Sequence, residues 1–310
     1  MTSVTRSLPP RLGVDLGGTK IEIVALDADG NERLRQRVAT PRGDYEATVE
    51  AIGRLVEHAE RALGCTGTST IGVGTPGTYS RATGLMRNCN SVWLNGRALR
   101  VDLAQRLGRR VTVANDANCF ALSEATDGAG AGAACVFGVI LGTGVGAGVV
   151  VHGRALEGPN GVAGEWGHNP LPWPDDDERP GPHCYCGRRG CIETFLSGPA
   201  LALDHANASG ERFAPTEIVQ RAAASDDRAS DTLARYERRL AKSLAHVINI
   251  LDPEVIVLGG GLSNLDRLRD RIPELWGKWV FSDRVDTRLV RHVHGDSSGV
   301  RGAAWLGANP

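Results

Sequence analysis

One pattern occurs twice in this chain, and the repetition limits its fold more than any other feature. Arg11-Leu-Gly-Val-Asp-Leu-Gly-Gly-Thr-Lys20 runs directly into Ile21-Glu-Ile-Val-Ala-Leu26, and Val136-Phe-Gly-Val-Ile-Leu-Gly-Thr-Gly144 runs into Gly146-Ala-Gly-Val-Val-Val151. Each is a β-like segment, a glycine turn and a second β-like segment, which reads as a hairpin. An offset of 125 positions matches Gly13 with Gly138, Val14 with Val139, Leu16 with Leu141, Gly17 with Gly142 and Val24 with Val149. The shared plan near the start of each half predicts a duplicated domain.

Between and after the repeats the pattern alternates. Ile52, Leu55, Val56, Ala59 and Ala62 recur at helical spacing over 46–63, behind Asp44 as a cap. Ile71–Gly74 and Val111–Asp116 read as short buried strands, with a helix over 99–107 between them. Leu240, Leu244, Val247, Ile248 and Leu251 mark a long helix that ends before Asp252-Pro253. Glu254–Gly261 is then a strand running into a third glycine turn, followed by a helix near 264–279. This is an α/β pattern with two hairpin-started sheets. The acidic, proline-rich Pro172–Pro182 reads as a loop whose charges face water.

At 310 residues the chain is long enough for two domains of ordinary size. A formal net charge of -1 gives no footing on nucleic acid or an anionic membrane. The opening ten residues lack the apolar core of a signal peptide, and no run approaches the roughly 18 apolar residues of a spanning helix. The expectation is a cytoplasmic protein that binds neither nucleic acid nor membrane.

Of seven cysteines, three are packed into Cys184-Tyr-Cys186-Gly-Arg-Arg-Gly-Cys191-Ile-Glu193, a short way after Glu165-Trp-Gly-His168. An odd count with such a cluster fits a metal site in a reducing compartment better than a disulfide framework. Three thiolates and one imidazole make a tetrahedral zinc set, and a site closed by four protein ligands has no open position at which to activate water. Its expected task is to hold Glu165, His168 and Glu193 in place. His183, next to Cys184, is a rival fourth ligand; adjacent residues ligate one ion under strain, so the more distant His168 closes the site more comfortably. Cys65, Cys89, Cys119 and Cys135 lie among apolar neighbours and read as small hydrophobes.

Neither repeated glycine turn has Walker spacing and neither opens a helix, which excludes a dinucleotide-binding fingerprint. The turns instead offer backbone N–H groups, hydroxyls and a charge through Thr19, Lys20 and Thr143, a combination that suits anions. Asp15, just before the first turn, is a hard oxygen ligand for Mg²⁺. Gly259, Gly260 and Gly261 form a third place where backbone can lie against a ligand such as a nucleoside. Asn115-Asp116 stands between a strand and a helix. There Asp116 either caps the helix or takes the proton from a hydroxyl attacking in phosphoryl transfer, with Asn115 binding a substrate hydroxyl.

Six motifs in one order, Asp15-Leu-Gly-Gly-Thr-Lys20, Asn115-Asp116-Ala-Asn118, Leu141-Gly-Thr-Gly144, Glu165-Trp-Gly-His168, Cys184–Glu193 and Leu258-Gly-Gly-Gly261, resemble the ROK family of sugar kinases in the actin-like ATPase superfamily. The resemblance runs from about residue 11 to Trp305. It implies an α/β fold of two actin-like (ribonuclease H-like) domains, an ATP/sugar cleft between them and a zinc-binding loop. The small domain would take 1–116 and the large one 117–299, with a C-terminal helix of about 300–310 returning to the first.

The resemblance implies ATP phosphates, with Mg²⁺, at Asp15, Gly17, Gly18, Thr19, Lys20, Gly142, Thr143 and Gly144, and adenosine near Gly259, Gly260 and Gly261. It implies Asp116 as the base, and a hexose lined by Gly77, Asn90, Asn115, Glu165, His168 and Glu193. It implies Zn²⁺ on His168, Cys184, Cys186 and Cys191, and a homodimer. Asn88–Gly96, Glu165–Trp173 and His294–Trp305 most resemble bacterial fructokinases with mannokinase activity. The expected reaction is therefore ATP-dependent conversion of D-fructose to fructose 6-phosphate, with mannose a second substrate.

Glucokinases and N-acetylhexosamine kinases of the family share nearly all these residues and are the alternative. A non-catalytic sugar sensor, or a repressor of the kind that carries a helix-turn-helix ahead of the kinase-like part, is the non-enzyme reading. About ten residues precede the first strand here.

Overall fold

In the computed structural model, which describes residues 8–307, both glycine turns join antiparallel hairpins. β1 (Arg11–Leu16) pairs with β2 (Lys20–Leu26), and β3 (Glu32–Ala39) extends the pair. Helix α1 (Tyr45–Leu63) follows; the Asp44 carboxylate accepts the Ala47 amide at 2.9 Å, and Gly64 ends the helix in the left-handed conformation. β4 (Thr70–Thr75) then runs parallel to β1. After a small hairpin of β5 (Thr78–Tyr79) and β6 (Met86–Arg87), α2 (Leu99–Leu107) leads to β7 (Thr112–Asn115), parallel to β4. The first sheet has the order β3-β2-β1-β4-β7.

α3 (Asp116–Asp127) crosses to the second sheet, which opens with β8 (Cys135–Leu141), β9 (Val145–Val151) and β10 (Arg154–Ala155). A long irregular stretch follows, then α4 (Glu193–Leu196), α5 (Gly198–Ser209), α6 (Pro215–Ala223) and α7 (Asp227–Leu251). β11 (Val255–Gly259), α8 (Asp266–Trp276), β12 (Arg288–Arg291) and α9 (Ser298–Leu306) complete the described chain. The order β10-β9-β8-β11-β12 repeats the first sheet strand for strand. One detail of the sequence match fails. Leu16 pairs with Ile21 but Leu141 with Val145, so the second turn is one residue shorter. Val24 therefore corresponds in space to Gly148, each opposite the matched glycine of its hairpin, and not to Val149.

α9 lies against the first sheet and α3 against the second, and the two helices meet in between. The approach requires glycine: a Cβ on Gly13 would stand 2.1 Å from the Val300 carbonyl oxygen, and one on Gly302 1.7 Å from that of Cys119. The opposite faces carry the larger cores. Leu12, Val14, Ile21 and Ile23 pack with Ile52 and Leu55 of α1, and Val139 and Leu141 with Leu240, Leu244 and Ile248 of α7. Each such side chain contributes about 1.5–3 kcal/mol on burial. The helical period places these residues on one face of their helices. Among the described residues, no helix is long and apolar enough to cross a membrane.

The acidic loop departs from expectation. Asp176 and Asp177 face water, but Glu178 is buried. Its carboxylate accepts Arg239 Nε at 2.7 Å and lies 3.4 Å from Lys242 Nζ, while Asp175 pairs with Arg238 at 2.7 Å and Lys242 at 3.2 Å. α7 presents three cations within little more than one turn, and the loop supplies the carboxylates that make their burial tolerable.

Candidate active site

At the β1–β2 turn, three successive carbonyls are tied back by the segment that follows β3. Thr40 Oγ1 donates to Gly17 O at 2.7 Å, Arg42 Nε to Gly18 O at 2.9 Å and the Thr40 amide to Thr19 O at 3.0 Å. The Gly17 amide closes the hairpin on Lys20 O, and those of Gly18 and Thr19 have no acceptor among the described residues. With its carbonyls turned away and two amides free, the turn has the backbone arrangement of an anion nest.

The β8–β9 turn is built alike by other means. The Gly198 amide donates to Gly142 O at 2.8 Å, and Glu193 Oε2 accepts the Val145 amide at 2.9 Å. A Cβ on Gly144 would meet that same oxygen at 2.7 Å. Glu193 therefore braces the second turn from the residue two beyond Cys191.

Between the sheets opens a cleft of about 910 Å³. Of the sequence-predicted residues, Asp15, Gly17, Gly18, Asn90, Asp116, Gly260 and Gly261 line it. Asp15, the last residue but one of β1, stands in the cleft wall; its pKa is raised to about 6 by burial first, then by the charges of Asp116 and Glu22, with Lys20 opposing. Asp116 is the first residue of α3. Surrounding protein raises its pKa by displacing water, the Ala117 amide lowers it, and the charge of Glu165 raises it further. The capping role falls to Asn115, whose Oδ1 accepts the Asn118 amide at 2.8 Å.

Asn115 and Glu165 line a second cavity of about 390 Å³ on the β7 side, where Glu165 Oε1 accepts Thr78 Oγ1 at 3.4 Å. Thr19, Lys20, Gly142, Thr143 and Gly144 stand at the turns without lining either cavity. Gly77 adopts φ +91° and carries the loop past Cys89, whose Sγ lies 2.6 Å from where a Cβ would be, so it supports Asn90. Gly259 packs on the Phe120 ring at a distance that no Cβ would fit. Arg42, Arg291, His292, Asn264 and Asp296 also line the cleft and were not singled out in the sequence, because none belongs to a motif that names its chemistry: Arg291 is the last residue of β12 and the others stand in turns and connecting segments.

The cysteine cluster assembles as the chemistry of its donors requires. Ligand atoms of His168, Cys184, Cys186 and Cys191 all lie within 4.8 Å of one another. His168 Nδ1 is 3.5 Å from Cys184 Sγ, and Cys186 Sγ is 3.6 Å from Cys191 Sγ. Tetrahedral zinc with Zn–S of about 2.3 Å and Zn–N of about 2.1 Å sets ligand atoms about 3.6–3.8 Å apart, so the four side chains fit the ion. His168 Nε2 stands 2.9 Å from Tyr185 Oη, which fixes the ring. His183 bridges to Arg189 through the backbone, with its side chain exposed and outside the group. Cys89 and Cys119 are buried as expected, and Cys65 and Cys135 half-buried.

Known proteins share this framework. A ROK hexokinase from Thermus thermophilus superposes with a TM-score of 0.85 at 32% identity, covering 96% of this chain and 97% of its own. A ROK glucokinase from Streptomyces griseus, solved with glucose and AMPPNP, superposes at 0.75 with 30% identity over 97% and 100%. A relative named N-acetyl-D-glucosamine kinase, from Photobacterium profundum, is 42% identical over 95% of this chain and 98% of its own length. The ROK family model matches residues 11–309, the span that holds both hairpins, the cleft and the cysteine cluster, and the chain belongs to the ROK family.

Proposed function

We propose that this protein transfers the γ-phosphoryl group of ATP to N-acetyl-D-glucosamine. The reaction is that of a sugar kinase; the choice of sugar draws on relatives bearing that name, at 38% to 42% identity over nearly their whole length. Fructose gains no support from these relatives. The stretches that resemble fructokinases contribute to the cleft framework through Asn90 and Asp296, which says nothing of the substituent at the sugar's second carbon.

The observation that carries this reading is Asp116, a carboxylate of raised pKa on the wall of the cleft that Gly17 and Gly18 of the β1–β2 turn also line. The free amides of Gly18 and Thr19, with the β8–β9 turn, take the nucleotide phosphates, and Gly260 and Gly261 lie along the nucleoside. The sugar sits toward Asn90, Asn115, Glu165 and His168. Asp116 accepts the proton of the sugar's primary hydroxyl as its oxygen bonds to the γ-phosphorus, the bond to the β-γ bridging oxygen breaks, and ADP leaves. Mg²⁺, when bound, neutralises phosphate charge, and Asp15 is the carboxylate placed to hold it. Zinc on His168, Cys184, Cys186 and Cys191 would fix the loop that carries Glu193 and the sugar-facing side of the cleft.

Specificity constants for N-acetyl-D-glucosamine, N-acetylmannosamine, glucose, mannose and fructose, measured by ADP release, test the proposal. N-acetyl-D-glucosamine is expected to exceed the others by about tenfold or more, since a site built for an acetamido group leaves polar groups unpaired without it. A higher constant for fructose or mannose overturns it.

A further inference from the structure

The cation at the first phosphate turn is not the one its motif supplies. Lys20 stands outside the cleft lining, its side chain half exposed and its Nζ 3.9 Å from the buried Glu22 carboxylate. Glu22 also holds Arg35 and Arg37, at 2.5 and 2.9 Å, so Lys20 belongs to the charge cluster on the β2–β3 surface. Within the cleft the acidic lining residues are Asp15, Asp116 and Asp296, an unwelcoming set for a polyanion.

The arginines among the lining residues are Arg42 and Arg291. Arg291 ends β12, next to His292 and near Asp296, on the side of the third glycine turn. Arg42 lies beside Gly18, and only its Nε is engaged, by the Gly18 carbonyl at 2.9 Å. No carboxylate pairs with it among the described residues, which leaves both Nη groups of its fork available next to the free amides of the turn.

We infer that Arg42 is a phosphate-binding residue: its guanidinium fork takes the terminal phosphate of the nucleotide at the β1–β2 turn, the task that the turn's own Lys20 is placed too far aside to perform. A planar fork held by one nitrogen and free at the other two suits bidentate contact with phosphate oxygens. The bond to Gly18 O ties it to the turn, so the charge is positioned before the nucleotide arrives. This inference rests on the kinase reading for its consequence in turnover, but not for nucleotide binding.

The test compares Arg42→Gln, Arg42→Lys and Lys20→Gln by calorimetric titration with AMP-PNP and AMP in the presence of Mg²⁺, and by turnover. Arg42→Gln is expected to weaken AMP-PNP by about tenfold to a hundredfold, the effect of one charged hydrogen-bonding group, while AMP binding and melting temperature hold. Arg42→Lys should recover part of the AMP-PNP affinity, since charge returns without the fork, and Lys20→Gln should stay within about twofold of the parent. Equal loss of AMP and AMP-PNP in Arg42→Gln would make Arg42 a strut for the turn and overturn the inference, as would a larger effect from Lys20→Gln. Nucleotide binding without turnover of any sugar would count against the kinase reading alone.

Discussion

Burial, and after it the charge of Asp116 in the same cleft, make Asp15 harder to ionise. A carboxyl raised to about 6 is destabilising to the folded chain when charged: its contribution is fully favourable below the ordinary value of 3.8 and is lost as pH rises through 6. Asp15→Asn should therefore raise the melting temperature of the ligand-free protein at pH 8, by up to about 3 kcal/mol of stability, with the gain vanishing toward pH 4. The same variant should need far more Mg²⁺ for turnover. Asp116→Asn should lower kcat by about 10²–10⁴ while sugar affinity, read by calorimetry, stays near that of the parent.

Because Glu165 raises the pKa of Asp116, Glu165→Gln should move the acid limb of the kcat profile to lower pH, whatever else it does to sugar affinity. An unmoved limb would detach Asp116 from the acid limb. Sequence reading reached both aspartates through their place at strand ends, yet it left Asp116 open between helix cap and general base and missed Asn115 as the cap, which only the bond from the Asn118 amide to Asn115 Oδ1 reveals. Arg42 and Arg291 carried no signal, since an arginine in a loop or at a strand end is ordinary until the fold turns it toward a cleft.

Among the elements, the stretch between β10 and α5 does more than gather four side chains able to hold a metal. Its far end delivers Glu193 to the β8–β9 turn, and the Gly198 amide seizes Gly142 from the same side. Zinc removal by chelation should thus weaken AMP-PNP as well as sugar, and Glu193→Gln should weaken AMP-PNP with zinc content, read by metal analysis, unchanged. Loss of sugar affinity alone would confine the loop to the sugar.

The cysteine spacing, with His168, made legible which side chains would gather, because metal-ligand spacing is written locally. The anchor of the acidic loop was not legible: Glu178 and Lys242 meet only through tertiary packing, and nothing near Glu178 in sequence distinguishes it from its exposed neighbours. Glu178→Ala, which leaves the buried Arg239 with Asp204 and the buried Lys242 with Asp175 as their remaining carboxylates, should cost about 3 kcal/mol in denaturant unfolding.

At the scale of the molecule, the duplicated hairpins foretold two equivalent sheets, and the strand orders agree position by position. What periodicity could not give is how the halves join. α3 and α9 cross between the sheets at Gly302, and we read the junction at Asp116 as the point where two bodies meet. Closure of those bodies on substrate would exclude water as a competing acceptor. Scattering should show a smaller radius of gyration with N-acetyl-D-glucosamine and AMP-PNP together than with neither, and Gly302→Val should prevent native packing altogether, since no side chain fits beside the Cys119 carbonyl.

The cover of the first sheet by α9 also bears on how the protein is made. Strands β1, β2, β4 and β7 leave the ribosome with their α9-facing side bare, and residues 298–306 follow only after the whole second sheet has been synthesised. At elongation rates of about 5–20 residues per second that exposure lasts on the order of ten seconds or more. Stalled nascent chains ending before residue 298 should accordingly be protease-sensitive in their first half and hold chaperones there, while release of the complete chain ends both.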